Sequence, residues 1–594
     1  MHILGISCFY HDSAAALLRD GELVAAAEEE RFSRKKHDFG FPSHAIHFCL
    51  QQAGITGQDL DYVVFYEKPL VKFERILMTT LSTYPTSWRV FREAMLNWFS
   101  EKLWIKSHIV RELDIPDSKV LFVDHHMSHA ASTLFCSPYK EAAILTIDGV
   151  GEWTTAATGR GKAAWDAQER SEIVLSREIR FPNSIGLLYS AFTAFLGFRV
   201  NNGEYKVMGM APYGQPRYVD RIRRVVDVAE DGSFRLNMDY FAFHQSTEHT
   251  YNHRFEELFG KKRDSKSEFF TRDHGFEPGR EEEADQNQYF ADIAASIQAV
   301  TEDVLLKLAN QVYKETGLDT LCMAGGVALN SVANGRILRE TPFKNLFVQP
   351  AAGDSGCAVG AALYAYHVLL QQPRRFVLEH GYWGEEYGEE QVQAFLDANG
   401  IRYEYFGNDD QLMDRVTDLL LDGKVVGWYQ GRFEWGPRAL GNRSILADPR
   451  RAEMKDIVNR KIKFREPFRP FAPAVLEERT RDFFELDNPE MCYPARFMLL
   501  VTPVRDDKQG VIPAVTHIGG TARLQTVRRE WNPRYHEIIR RFGEATGVPV
   551  LLNTSYNLRG EPIVASPADA FHTYSDSDMD ALAYGQYLVQ KDRG

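Results

Sequence analysis

Cysteine is scarce in this chain of 594 residues. The sequence has six cysteines and no CxxC pair. They are scattered from one end of the chain to the other, at Cys8, Cys49, Cys136, Cys322, Cys357 and Cys492. Such spacing is typical of free thiols in a reducing compartment and excludes a disulfide-rich framework.

Long apolar runs are also missing. No stretch approaches the ~18–20 uninterrupted apolar residues that a membrane-spanning helix needs. The N-terminal sequence MHILGISCFYHDSAAA has no basic region, and His11 and Asp12 interrupt its apolar run, so it does not read as a signal peptide. We therefore expect a soluble, cytoplasmic protein without membrane association.

The chain has no excess of positive charge. Its formal net charge is −13, whereas general nucleic-acid binding needs a basic face. The length exceeds the ~250–300 residues at which a single core stops growing, which predicts at least two domains. Periodicity breaks within residues 371–390, so we predict domains at 1–375 and 380–594. The sequence is compatible with a homodimer.

Strand and helix patterns alternate along the chain. AAALLR and ELVAAAEE flank Asp20-Gly21, a dipeptide that suits a two-residue hairpin turn. After a predicted helix at 286–316, a strand, a glycine loop and a helix follow one another twice, which predicts an α/β fold. The polar stretches 156–172 and 244–286 are predicted to be surface excursions.

Two histidines and two aspartates form the sharpest candidate site. His125 and His129 are four residues apart in DHHMSHA, so on a helix their rings share a face and can bind one cation. By itself the pair fits a polar helix start equally well. Asp148 at the end of AAILTID and Asp354 in a strand-to-helix loop favour a mixed N/O metal site, open to Fe, Zn, Ni or Mn.

Glycine turns form a second constellation. Gly325 and Gly326 precede a helix that opens near Asn330, and Gly149 and Gly151 follow Asp148. Such loops let a phosphate approach backbone N–H groups, although many only pack a strand on a helix. Together with the hairpin they resemble the nucleotide cleft of actin, sugar kinases and heat-shock ATPases.

Basic residues gather in the C-terminal domain, interleaved with phenylalanine and proline. They occur in GRFEWGPRALGNR, KIKFREPFRPFAP and GGTARLQT, close in sequence to the strand-loop LLNTSYN. A solvated charged surface is the usual explanation of such a run. The aromatic residues favour ordered side chains instead, and arginine suits a small anion together with a nucleoside triphosphate.

These blocks resemble one family in order over nearly the whole chain. The sequence is similar to the O-carbamoyltransferases of antibiotic biosynthesis and nodulation-factor decoration. The resemblance is carried by GISCFYHDSAA, EEERFSRKKHD, DHHMSHA, TIDGVGEW, NNGEYKVMGMAPYG, AGGVALN, QPAAGDSG, GRFEWGPRALGNRSILADPR, FRPFAP, TARLQTV and LLNTSYNLRGEPIV.

The resemblance implies an N-terminal actin-like domain, similar to the tRNA threonylcarbamoyl-transferase subunit, and a C-terminal YrdC-like α/β domain. It implies that the second domain makes carbamoyl adenylate from carbamoyl phosphate and ATP. The first domain then transfers the carbamoyl group to a hydroxyl of a small natural-product acceptor and releases AMP. The implied metal is Fe²⁺, and Mg²⁺ is a further candidate beside ATP.

The resemblance also implies roles for individual residues. The metal ligands are His125, His129, Asp148 and Asp354. The catalytic set comprises His11, our candidate base, and Asp239, Arg438, Lys463, Arg469 and Arg523. The substrate- and nucleotide-binding set comprises Asp12, Gly149, Gly151, Lys206, Gly325, Gly326, Asn330, Asn553 and Ser555. One departure is His517-Ile518-Gly519-Gly520, where the family pattern has an acidic residue before the second glycine.

Two alternatives remain beside carbamoyl transfer. An actin-like small-molecule kinase needs the nucleotide cleft but neither the histidine pair nor the basic C-terminal site, and it would release ADP. A non-catalytic binding protein needs only one of the two sites. The aromatic-rich segment 65–104 is a candidate lining for the acceptor, with a packed helical layer as the alternative.

Overall fold

The computed structural model describes residues 1–594 apart from 86, 89, 90, 94, 96–101, 247 and 592–594. The chain divides into two compact units. Unit 1 comprises Met1–Ala26 and Phe39–Leu378, and unit 2 comprises Ala27–Asp38 and Glu379–Gly594. The short segment 27–38 therefore belongs to the second unit, although it precedes most of the first in sequence.

Unit 1 contains a five-stranded sheet in the order β3-β2-β1-β4-β5. Its strands are β1 (His2–Ser7), β2 (Ala14–Arg19), β3 (Glu22–Glu28), β4 (Tyr62–Phe65) and β5 (Val120–Phe122). The predicted hairpin is confirmed, since Asp20 and Gly21 join β2 to β3 with φ of 52° and 85°. β2 runs antiparallel to β1, whereas β4 and β5 continue the sheet in parallel.

A second five-stranded sheet repeats this topology in the order β12-β11-β6-β7-β8. Its strands are β6 (Glu141–Ile147), β7 (Thr154–Lys162), β8 (Glu172–Arg180), β11 (Thr320–Ala324) and β12 (Asn345–Val348). Again the first strand is central, with an antiparallel meander on one side and two parallel strands on the other. A pair of short strands, β9 (Val226–Val228) and β10 (Phe234–Leu236), lies outside it. This duplication confirms the actin-like α/β architecture.

The prediction of a surface excursion at 156–172 is wrong for its first half. Residues 156–162 belong to β7, which pairs along its whole length with β6 and is mostly buried. The strand is built from alanine, threonine and glycine, whose small side chains give little apolar signal. A Cβ on Gly161 would lie 2.4 Å from Leu134 Cδ2, so a larger residue there would clash with the last residue of helix His125–Leu134.

The helices of unit 1 cover the two sheets. The α-helices are Ser43–Ala53, Pro69–Ser82, Ile105–Leu113, His125–Leu134, Ile185–Phe195, Glu204–Met210, Val219–Ile222, His253–Phe259, Glu281–Thr316, Ser331–Glu340 and Gly356–Tyr364. The long helix that ends before Gly317 is confirmed. Helix Gly356–Tyr364 packs closely on helix His125–Leu134, because a Cβ on Gly360 would lie 1.9 Å from the carbonyl oxygen of Ser128.

Unit 2 is built on an eight-stranded mixed sheet in the order β13-β22-β21-β14-β15-β20-β16-β19. The strands are β13 (Glu404–Tyr405), β14 (Val426–Tyr429), β15 (Arg443–Ala447), β16 (Ala472–Leu476), β19 (Gln525–Val527), β20 (Val550–Ser555), β21 (Ala581–Tyr584) and β22 (Tyr587–Gln590). The pair β17 (Val501–Pro503) and β18 (Thr521–Arg523) forms a separate ribbon. The α/β character expected for this part of the chain is confirmed.

Helices of unit 2 pack against that sheet and bury an apolar core. The α-helices are Glu30–Ser33, Glu389–Ala398, Asp409–Leu421, Met454–Ile457, Tyr493–Arg496, Asp506–Gln509, Pro533–Thr546 and Pro567–Ser575. Trp428, Ile539 and Leu551 lie in the core between sheet and helices. Across the described part of both units, no helix combines the length and apolar character needed to cross a bilayer.

Candidate functional site

The four predicted metal donors come together in unit 1. Asp148 follows the central strand β6, and Asp354 follows β12, two strands away in the same parallel set. Both carboxylates therefore lie at the edge where the carboxyl ends of these strands meet. His125 and His129 approach them from the first turns of helix His125–Leu134. One ligand atom from each residue lies within 4.8 Å of all the others.

The spacing of these atoms suits one small cation. His125 Nε2 lies 3.1 Å from His129 Nε2 and 3.3 Å from Asp148 Oδ2. Asp354 Oδ1 lies 3.7 Å and 3.6 Å from the same two nitrogens. Bonds of about 2.0–2.2 Å to a tetrahedral metal separate ligand atoms by roughly 3.3–3.6 Å. The donor set is therefore spaced as the ligands of a single metal ion would be.

The charge balance of the cluster also fits a cation. Asp354 is 1% exposed, and neither of its carboxylate oxygens has a hydrogen-bond partner among the described residues. A buried carboxylate without hydrogen bonds is costly unless a cation compensates it. Burial would raise the pKa of Asp148, but hydrogen bonds with His125 and His129 hold it well below its usual range. The residues present thus fit a divalent metal with mixed nitrogen and oxygen ligands.

Two further side chains lie beside the histidine pair. Cys357 Sγ lies 3.3 Å from Nδ1 of His129, on the side of the ring that faces away from the aspartates. His126 instead contacts the sheet, through Thr146 Oγ1 at 2.8 Å and the carbonyl oxygen of Thr154 at 2.9 Å. His126 therefore orients the helix, whereas Cys357 contacts a candidate ligand directly.

The glycine loops lie against the same cluster. The backbone N–H of Gly326 donates to Asp148 Oδ1 at 2.9 Å, and Gly325 donates to the carbonyl oxygen of Ala352. Gly151 packs on His125 so closely that a Cβ there would lie 2.4 Å from the imidazole Cδ2. Ser184 Oγ donates to the carbonyl oxygen of Gly149 at 2.5 Å. These contacts explain why glycine occurs in the loops: without a side chain, the loop backbone can approach the donor set closely.

His11 lies in the electric field of the same carboxylates. Its Nδ1 is 3.0 Å from Asp12 Oδ2. Burial would lower the pKa of His11, but Asp354, the hydrogen bond to Asp12 and the charges of Asp12 and Asp148 raise it to about 10. The imidazole is therefore protonated at neutral pH unless a cation on the aspartates offsets their charge.

Three other predicted residues of unit 1 have contacts of their own. Asn330 caps helix Ser331–Glu340, and its amide exchanges hydrogen bonds with Gln298. Lys206 places its ammonium 5.4 Å from the ring centre of Phe198. The carboxylate of Asp239 is 70% exposed and forms an ion pair with Arg254 at 2.9 Å, so it is not part of the buried cluster.

Unit 2 brings together three of the predicted basic residues. Arg438 lies in the loop between β14 and β15, Arg469 precedes β16, and Arg523 ends β18. Burial lowers the pKa of Arg523, and the positive charges of Arg438 and Arg469 lower it further. The Arg523 Nε has no hydrogen-bond partner among the described residues. Three cations that influence one another in a buried position favour a bound anion.

Lys463 lies beside this arginine group and is bound by a loop. Its ammonium donates to the carbonyl oxygen of Ser555 at 2.6 Å and to that of Asn557 at 2.8 Å. The side-chain oxygens of the same two residues lie at 3.3 and 2.5 Å. Burial, with Arg465 and Arg469, lowers the pKa of Lys463, whereas four oxygen acceptors favour its charged form. Lys463 therefore fixes the end of β20.

Asn553 connects this strand to the arginine loop. Its amide nitrogen donates to the carbonyl oxygen of Ala439 at 3.2 Å and to Gln525 Oε1 at 2.7 Å. The side chain is 1% exposed, and its Oδ1 has no hydrogen-bond partner within the described part of the chain. These charges and hydrogen bonds connect six residues into one cluster, which we call the basic pocket: Arg438, Arg469, Arg523, Lys463, Asn553 and Ser555.

Buried carboxylates shape the loop that carries Arg438. Glu434 Oε1 accepts hydrogen bonds from the backbone N–H groups of Leu440, Asn442 and Arg443 at 2.8, 2.8 and 3.1 Å. Glu28 Oε1 accepts from Gly436 N at 2.7 Å. A single carboxylate that accepts several backbone N–H groups fixes a loop strongly.

Segment 27–38 therefore takes part in building the pocket. Arg31 Nη2 donates to the carbonyl oxygen of Gly436 at 2.6 Å, and its Nε lies 3.5 Å from Glu28 Oε2. Arg34 donates to the carbonyl oxygen of Ile563 at 2.8 Å. Burial raises the pKa of Glu28 to about 7, although Arg31 opposes the rise. Sequence analysis predicted no role for this segment, because the residues that it contacts lie hundreds of positions further along the chain.

Two family models match the chain. The model described as "Carbamoyltransferase N-terminus" matches residues 2–363, and "Carbamoyltransferase C-terminus" matches residues 417–591. Together they cover most of both units. This order agrees with the blocks recognised in the sequence.

Individual relatives agree with the family models. The uncharacterized protein sll1178 of Synechocystis sp. is 46% identical over 99% of this chain and 97% of its own. Nodulation protein NolNO of Sinorhizobium fredii is 38% identical over 98% of this chain and 79% of its own. Among solved structures, HypF of T. kodakarensis is a distant likeness, with 15% identity and a TM-score of 0.30 over 63% of this chain and 48% of its own. On the two family models, the chain belongs to the carbamoyltransferase family.

Proposed function

We propose that the protein is an ATP-dependent O-carbamoyltransferase with one chemical step in each unit. The basic pocket of unit 2 would bind carbamoyl phosphate and ATP and make carbamoyl adenylate, with release of phosphate and pyrophosphate. Unit 1 would transfer the carbamoyl group to a hydroxyl of a small natural-product acceptor. The supporting observation is that one carbamoyltransferase chain carries both a metal-type donor set and a separate group of three arginines.

The arginines suit the first step. Carbamoyl phosphate and the triphosphate are both anions, and guanidinium groups bind such oxygens in pairs. Arg523 has an unused buried Nε, and Arg438 lies on a loop fixed by Glu434 and Glu28. A preorganised group of positive charges stabilises the charge that develops during phosphoryl and acyl exchange.

The donor set suits the second step. A cation bound by His125, His129, Asp148 and Asp354 supplies Lewis acidity toward an acyl oxygen, and we propose iron as that cation. His11 is the proposed base for the acceptor hydroxyl. Its imidazole would lose its proton more readily once the charge of Asp354 is compensated, which links base strength to metal loading.

An experiment without an acceptor tests the first step. Purified full-length protein is incubated with ATP, carbamoyl phosphate and labelled pyrophosphate, and label in ATP is measured. We expect exchange that depends on carbamoyl phosphate. Release of ADP instead of AMP, with no exchange, would favour the alternative actin-like kinase and reject this proposal. A carbamoylation screen with labelled carbamoyl phosphate would then identify the acceptor.

A further inference from the structure

Helix Pro69–Ser82 in unit 1 has its polar face inside. Lys72, Arg75 and Thr80 are 4, 8 and 7% exposed, whereas Leu70 and Leu81 are 72 and 63% exposed. A surface helix normally buries its apolar side chains and exposes its charges. The reversed pattern means that two cations point into unit 1. The segment 65–104, a predicted acceptor lining, includes this helix, although 86, 89, 90, 94 and 96–101 lie outside the described residues.

Lys72 has a matched partner. Its ammonium donates to both carboxylate oxygens of Glu67, at 2.9 and 2.7 Å. It also lies 5.1 Å from the ring centre of Tyr10. In this buried ion pair the two charges compensate each other. Lys72 therefore needs no further anion.

Arg75 has no such partner. Its guanidinium makes neither a hydrogen bond nor an ion pair with any residue that the structure describes, and its Nε is fully buried. It lies 5.1 Å from the ring centre of Phe181. Glu67 and Glu152 act on it only at longer range, and they are engaged by Lys72 and by the backbone N–H of Lys68. A buried unpaired guanidinium is costly for folding, and an anion bound beside it would offset that cost.

Tyr10 links Arg75 to the metal-type donor set. The Tyr10 ring lies 4.6 Å from the ring of His11. Burial raises the pKa of Tyr10, Asp148 and Asp354 raise it further, and Arg75 opposes the rise. The Tyr10 hydroxyl thus lies in the fields of both the carboxylates and the guanidinium. Arg75 shares the buried face of its helix with Lys72, which contacts Tyr10, so this face of the helix borders the donor set on the side of Tyr10.

We propose that Arg75 binds the phosphate of the adenylate in unit 1 and stabilises AMP as it leaves. This inference rests on the proposed function. In the transfer step, the acceptor oxygen forms a bond to the carbamoyl carbon and gives its proton to the base. The bond between that carbon and the phosphate oxygen breaks, and its electron pair leaves with AMP.

The charge change in this step explains why a fixed guanidinium is useful. The phosphate group carries one negative charge in the adenylate and approaches two in AMP. A cation preorganised beside it binds the leaving group more strongly as the reaction proceeds, which accelerates the step instead of only binding substrate. Lysine would keep the charge but lose the paired donors that match phosphate oxygens.

The test measures AMP binding and thermal stability in full-length protein. Arg523→Met is introduced into every sample so that the basic pocket of unit 2 contributes little AMP binding. In that background Arg75→Met should weaken AMP binding in unit 1 by at least about tenfold, and Arg75→Lys by less. The melting temperature of Arg75→Met should be equal or higher, because an unpaired buried charge is removed.

Arg374→Met provides the matched control. Arg374 is 1% exposed and lies 4.5 Å from the ring centre of Trp165, but it donates to the carbonyl oxygens of Tyr139 and Phe376. Its loss should lower the melting temperature and leave AMP affinity unchanged. Unchanged AMP affinity in Arg75→Met, or a fall in melting temperature equal to that of the control, would overturn the inference. Absence of carbamoyl-phosphate-dependent exchange in the wild type rejects the proposed function separately.

Discussion

The thiol of Cys357 lies 3.3 Å from Nδ1 of His129, so that Nε2 of the same ring faces Asp148 and Asp354. Histidines that bind metals usually donate their second N–H to an acceptor, which fixes the ring and the tautomer. Sulfur takes the acceptor position here. The contact depends on the close approach of two helices at Gly360.

Removal of this sulfur should weaken the metal site without abolishing it. We expect Cys357→Ala to lower metal affinity by about tenfold or more, and Cys357→Ser to lower it less, because serine keeps an acceptor. Competition with a chelator, followed by metal analysis, measures the change. Cys136→Ala, a buried free thiol elsewhere in unit 1, is the control. His125→Ala/His129→Ala should bind no stoichiometric metal, and full metal in that double variant would disprove the site.

Lys463→Ala should abolish carbamoyl-phosphate-dependent exchange between ATP and pyrophosphate. The ammonium connects the carbonyl oxygens of Ser555 and Asn557 to the basic pocket, so its loss both removes a charge and frees the loop. We expect at least a hundredfold fall in exchange rate. Lys461→Ala, an exposed lysine two residues earlier, should retain the wild-type rate. Exchange that survives in Lys463→Ala would place activation elsewhere.

His11→Asn should separate the two half-reactions. Adenylate formation should continue at the wild-type rate, whereas carbamoyl transfer should slow by about 10²–10⁴-fold, as expected for loss of a general base. Pyrophosphate exchange and acceptor carbamoylation are measured on the same sample, with the exposed His249→Asn as control. Equal slowing of both reactions would indicate a structural role for His11, and an unchanged transfer rate would show that it is not the base.

Segment 27–38 should affect substrate binding in the basic pocket, although it lies far from the pocket residues in sequence. Glu28→Leu and Arg31→Met each remove a hydrogen bond with Gly436, two residues before Arg438. We expect a rise of about tenfold in the KM for carbamoyl phosphate, because a buried hydrogen bond to a charged group is lost. The exposed Lys35→Ala should change nothing. Metal content should be unaltered in all three variants, and its loss would point to general misfolding instead.

The sequence predicted the parts of this molecule that local rules determine. The i, i+4 histidines and the aspartates at strand ends follow from helix and sheet periodicity, so His125, His129, Asp148 and Asp354 could be grouped beforehand. The hairpin at Asp20-Gly21 is likewise set by its own residues.

Such local rules do not predict contacts between elements that are far apart in sequence. Cys357 follows Asp354 by three residues, a helical spacing that could have indicated a shared face, but only the approach at Gly360 brings it to His129. Arg75 lies in a helix whose apolar residues would normally be buried, which predicts that Arg75 is exposed, whereas the structure shows the reverse. β7 gave little signal because alanine and glycine are weak strand formers and its small side chains show no clear alternation of apolar and polar residues. Asp239 matched the family pattern, whereas its exposed position is set by the fold.

Unit 2 should lose stability as pH falls through the range in which histidine usually titrates. Burial lowers the pKa of His517 from 6.5 to about 4, with Arg523 and Lys455 adding to this and a hydrogen bond to the Phe471 carbonyl opposing it. Below pH 6.5 the unfolded chain therefore takes up a proton that the folded chain does not accept until about pH 4, so the folded state loses free energy of unfolding over this window. His517→Gln keeps a donor for Phe471 but cannot take up the proton. Its melting temperature should fall less between pH 6.5 and 4 than that of the wild type, and the exposed His572→Gln should follow the wild type. An equal fall in all three proteins would show that His517 does not contribute to the acid sensitivity of unit 2.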